Sequence, residues 1–140
     1  MQALWKLREA TREERRARLA EALAAEDKLL ARRDALLAEI ATSERQQREG
    51  LGAVDVDRLL ARHRYELVLK AEASVLDGQH KALAPEIEKR REALVAADRE
   101  LRILEKLRDR LADRAAQAES AAEAKEIDQI ASRQWLRGEE

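Results

Sequence analysis

The chain has 140 residues, with 28 Lys and Arg against 29 Asp and Glu, three aromatics, one Pro and no Cys. Ala, Glu, Lys, Leu and Arg make up 97 of the 140, well beyond the half that already marks long helices and coiled coils. Only five Val and five Ile exclude a β-sheet core, the lack of Cys excludes a disulfide framework, and a net charge of −1 gives no general pull on nucleic acid.

The first predicted element is a helix over residues 2–48. Its apolar stripe runs through Leu19, Leu23, Leu29, Leu30, Leu36, Leu37 and Ile40, at the three- and four-residue steps of one helical face. Between Thr11 and Arg18 the stripe nearly vanishes, and Arg8, Arg12, Arg15, Arg16 and Arg18 leave residues 1–20 with a net charge of +3. Glu9, Glu13 and Glu14 interleave with them, and Glu14 and Arg18 form a stabilising i,i+4 pair. The cluster reads either as a solvated face or as a contact for an acidic protein surface. It is too dilute for a nucleic-acid site.

A bend follows over residues 49–55. Gly50 and Gly52 supply the residue type that takes the left-handed conformation past a helix end at low cost, and Asp55 is placed to cap the next helix. The second helix is predicted over residues 56–136, with a kink or short break near Gly78 and Pro85. Pro85 lacks an amide and its ring crowds the carbonyl of Lys81. Gly138 is expected to end the helix. From Leu83 the register steps by three and four through Ile87, Arg90, Leu94, Ala97, Leu101, Leu104, Arg108, Leu111, Ala115 and Ala118 to Ala122, then slips and resumes at Ile127 and Ile130. That period of 3.5 specifies a left-handed coiled coil.

These elements predict an all-α fold, an antiparallel two-helix coiled-coil hairpin in one domain of residues 1–140, with the second helix longer. Folding at Gly52 sets Arg90 opposite Glu13 and Glu14, Arg33 opposite Ala71 and Glu72, and Gln2 opposite Arg102. Residues from Ile103 to Trp135 are then without a partner, yet they keep a seam of Leu104, Leu111, Ala115, Ala118, Ala122, Ile127 and Ile130. A lone helix with an apolar stripe is poorly stable in water, so something must cover it. The alternative is that the chain folds back around Gly78 and Pro85, pairing a shorter last helix with the first.

Other side chains carry weaker signals. Arg102, Lys106, Arg110 and Arg114 form a positive column beside Glu105, Asp109 and Asp113, which reads either as a self-neutralised face or as a charge pattern for a partner. Trp135 is costly to expose, and interfaces are enriched in Trp. His63 and His80 have no carboxylate at ligand spacing, so helix packing accounts for them. No phosphate loop, metal cluster or nucleophile constellation occurs, so neither an enzyme nor a cofactor is expected. The longest apolar run is about five residues against the ~20 a transmembrane helix needs, and the N-terminus lacks the apolar stretch of a secretory signal.

Two stretches near the C-terminus point to a family. Residues 101–110, LRILEKLRDR, and residues 124–131, AKEIDQIA, resemble the two terminal blocks of the FliJ family, the small coiled-coil proteins of flagellar type III export. Gln129 stands where that family usually has Glu. The resemblance implies a non-catalytic stalk, similar to the central shaft of rotary ATPases. Its implied partners are the hexameric export ATPase, the membrane export gate and export chaperones. Its implied location is cytoplasmic, peripheral to the inner-membrane export apparatus. It further implies that Leu104, Leu111, Ile127, Ile130 and Trp135 face the ATPase ring, with Arg8, Arg12 and Arg15 as a further contact. Tyr65, Leu69 and Leu76 are implied to face the gate. An injectisome stalk or a generic coiled-coil adaptor or homodimer are the competing readings.

Overall fold

A computed structural model describes residues 1–50 and 55–138. They form two helices, α1 (Gln2–Glu49) and α2 (Val56–Gly138), packed against each other as an antiparallel hairpin. α1 contains neither Gly nor Pro, so nothing in its sequence interrupts the ladder. It closes where the Gly50 amide still donates to the Gln46 carbonyl at 3.0 Å. Gly50 does not take the left-handed conformation expected of it, since no described glycine has positive φ; Gly52 lies outside the described residues. Asp55 caps α2 as expected. Its Oδ1 accepts from the Asp57 amide at 3.1 Å, and its carbonyl accepts the first helical bond from Leu59.

Of the kink or short break expected near Gly78 and Pro85, the break is absent, because α2 runs through both residues. With it falls the alternative in which the chain folds back there. Pro85 and Lys81 both face solvent, so water is at hand for the carbonyl that loses its donor, while Ile87 stays buried and holds the turn to α1. α2 is described as far as Gly138, and the expected end of the helix there borders residues outside the described ones.

The chain packs as two units. In the larger, Ala10–Ala97, the core is narrow. Leu36, Ile40, Leu69 and Ala73 form its centre, with Leu76 packed against them. Leu36 is fully buried, and burying such a side chain stabilises by about 1.5–3 kcal/mol. The register differs by about one helical turn from a fold at Gly52. Arg90 donates to the Arg18 carbonyl at 2.6 Å and to Glu86 at 3.0 Å, not to Glu13 or Glu14. Arg33 pairs with Asp77 at 3.4 Å and with Asp34, while Glu72 is taken by Arg32 at 3.1 Å. The matching of Leu36 and Ile40 with Leu69 and Ala73 sets the register, overriding the midpoint of the bend. These carboxylates, Asp34 foremost and then Asp77, hold the Arg33 pKa above its ordinary value, so the half-buried guanidinium remains charged.

The smaller unit comprises Met1–Glu9 with Asp98–Glu140. Here the first two turns of α1 lie along α2. Arg8 pairs with Glu100 at 2.6 Å, and the Arg108 guanidinium stacks 4.9 Å over the Trp5 ring. Beyond that contact α2 continues uncovered.

Candidate functional site

Burial changes abruptly along the smaller unit. Leu101 is buried and Leu104 half-buried, but every described residue from Lys106 to Gly138 is exposed. About 30 residues after Arg108, some 45 Å of helix, therefore meet solvent on all sides. Its large apolar residues are open to solvent: Leu111, Ile127, Ile130 and Trp135 are 43%, 64%, 48% and 64% exposed. Trp135 and Leu136 share a shallow hollow with Ala131 and Ser132. Of the implied ring contacts only Leu104 is partly covered, because the first turns of α1 reach further along α2 than a fold at Gly52 allows. The projecting segment also lacks helix-stabilising opposite pairs at i,i+4. Glu119 and Glu123, and Arg133 and Arg137, are instead like-charged at that spacing, which disfavours an isolated helix.

The three residues implied at the gate are placed differently from one another. Tyr65 is half-exposed, and its hydroxyl donates to Glu39 Oε2 at 3.2 Å across the hairpin. That acceptor is the main reason its pKa lies above the ordinary value, since ionisation would set a phenolate against a carboxylate. Leu69 is 5% exposed within the core, and Leu76 is half-buried against it. Tyr65 alone of the three presents most of its surface outward. Leu60, Leu67, Val68 and Val75 are further exposed apolar residues on early α2.

The arginines of early α1 are largely satisfied within the chain. Arg8 pairs with Glu100, Arg12 and Arg16 with Glu13, and Arg18 with Glu14. Among the described residues Arg15 makes no such pair; it is half-buried in a shallow hollow with Arg18, Glu21, Glu86, Lys89 and Arg90. Exposed ion pairs of this type contribute about 0–1 kcal/mol each. His80 Nε2 lies 3.4 Å from Glu26 across the hairpin, and His63 is exposed. Among the described residues no group of three or more His, Asp or Glu is arranged to hold a metal ion. None of their helices is long and apolar enough to cross a membrane.

The hairpin core thus releases the end of α2, which carries exposed Leu111, Ile127, Ile130 and Trp135. The family model described as flagellar FliJ protein matches residues 1–140. The chain thus belongs to the FliJ family of flagellar protein export components. No curated protein and no solved structure matches it.

Proposed function

We propose that this protein is the coiled-coil stalk of a flagellar export apparatus, binding the export ATPase ring through the projecting end of α2. The observation that carries the proposal is the exposed stretch after Arg108, which keeps Leu111, Ile127, Ile130 and Trp135 on a helix otherwise made mostly of charged and small residues. Ala115, Ala118 and Ala122 keep that segment slender, so a surrounding ring can approach its backbone closely. No residue supplies chemistry. The stalk acts by binding one state of the ring better than another, which shifts the ring's population by that difference in affinity. Contact with a membrane export gate through the region around Tyr65, contact with export chaperones, and a cytoplasmic position at the inner face of the membrane complete this reading.

The absence of cysteine makes a direct test simple. Single cysteines at Ala118 and at Arg64 accept a photo-crosslinker without competing sites. Crosslinks to the export ATPase of the same genome from Ala118→Cys, with none from Arg64→Cys, are expected. Crosslinks from Arg64→Cys with none from Ala118→Cys would overturn the assignment of the projecting helix.

A further inference from the structure

The smaller unit carries a second apolar surface beside the projecting helix. Leu4 and Leu7 of α1 are 42% and 61% exposed, and Ile103 and Leu107 of α2 are 64% and 45% exposed. Trp5 and Arg8 mark the side of α1 that faces α2, since they meet Arg108 and Glu100. Leu101 and Leu104 mark the corresponding side of α2, by their burial. Counting 100° per residue from those marks, Leu4 and Leu7 lie to one side of α1 and Ile103 and Leu107 to one side of α2. In an antiparallel pair these two sides fall on the same face of the hairpin. Two helices thus offer one strip of apolar side chains, crossed by the Arg8–Glu100 pair whose charges neutralise each other, and such a strip is what a third amphipathic helix packs against.

The strip is bordered on one side only by cations. Lys106, Arg110 and Arg114 follow one another at four-residue steps next to Ile103 and Leu107, and among the described residues none of their side chains makes an ion pair or hydrogen bond. The like-charge repulsion along this column is left uncompensated by any bridge to Asp109 or Asp113, although both acids are close in sequence. Asp109 instead lies 4.0 Å from Arg108.

We infer that this face docks an acidic amphipathic helix of a partner protein, with the partner's apolar stripe on Leu4, Leu7, Ile103 and Leu107 and its carboxylates along Lys106 and Arg110. The inference goes beyond the stalk reading and does not require the ATPase. An anionic membrane surface fits less well. A plane broad enough to meet the cations also meets Asp109 and Asp113 on the neighbouring column, whereas a helix about 10 Å wide meets one column alone.

The test uses the full chain and a designed helical peptide with a Leu stripe flanked by Glu, compared with a twin carrying Lys for Glu. Fluorescence anisotropy is expected to give at least about tenfold tighter binding of the Glu peptide, with the difference shrinking as salt rises. Lys106→Glu with Arg110→Glu removes the preference, Ile103→Ser weakens both peptides, and Arg110→Lys restores the wild-type order. All of these positions are exposed, and circular dichroism checks that helicity is unchanged. Equal affinity for the twins, or no binding, overturns the inference. So does competition by vesicles of phosphatidylcholine and phosphatidylglycerol, or a wild-type dimer that Ile103→Ser dissociates.

Discussion

Ser43 Oγ donates a hydrogen bond to Glu66 Oε1 at 2.9 Å across the hairpin, and both residues are more than nine-tenths buried. A carboxylate in a core this narrow is tolerated because it has that donor. Ser43→Ala leaves Glu66 buried without it and should cost about 1–3 kcal/mol, whereas Ser43→Ala with Glu66→Leu should recover most of the loss. Urea unfolding of the single and double variants gives the coupling directly.

Gly78 lies in the interior of α2, and a Cβ built on it meets nothing within 4 Å. Its backbone is helical, so Ala fits without strain and lowers the entropy of the unfolded chain. Gly78→Ala should stabilise by about 0.4–1 kcal/mol. A fall in thermal midpoint would mean that the helix is not continuous at this point.

Tyr65 is the sole tyrosine, so its ionisation is read cleanly from ultraviolet absorbance. Its folded pKa lies above the usual value, with the Glu39 hydrogen bond as the first cause. The bond's contribution to stability is therefore fully present below the unfolded value near 10 and is lost as pH rises through the higher folded value. Glu39→Gln should bring the titration back toward pH 10. A midpoint indifferent to that substitution would remove the contact.

The first two turns of α1 are held by the Arg108–Trp5 stack and the Arg8–Glu100 pair. Both contacts are partly solvated, so Arg108→Ala should cost no more than about 0.5–1 kcal/mol. Its effect should be local. Amide exchange is expected to quicken at residues 2–9 while the amides around Leu36 and Ile40 keep their protection.

Much of this fold is legible in the sequence because few residues oppose it. The Leu and Ala stripes, the scarcity of helix breakers and the Asp55 cap lead to two helices with close to the observed bounds, and the unequal lengths lead to an uncovered end. Local rules fail where tertiary packing decides. Pro85 breaks helices in general, but here Ile87 anchors the next turn and Pro85 itself faces water. The register follows the fit of Leu36 and Ile40 to Leu69 and Ala73, which cannot be read from the bend alone. That same fit takes Leu69 into the core. The strip of Leu4, Leu7, Ile103 and Leu107 emerges only once the two helices are aligned, because each helix by itself shows just two apolar residues there.

What covers the end of α2 separates a stalk from a self-associating coiled coil. Light scattering of the purified protein, alone and then mixed with the flagellar export ATPase of the same genome, measures this. A free monomer that joins the assembled ATPase ring as a single copy is the predicted result, with Leu111→Asp and Ile127→Asp together abolishing the association at unchanged helicity. A stable homodimer indifferent to the ATPase, or full association by the double variant, would contradict it.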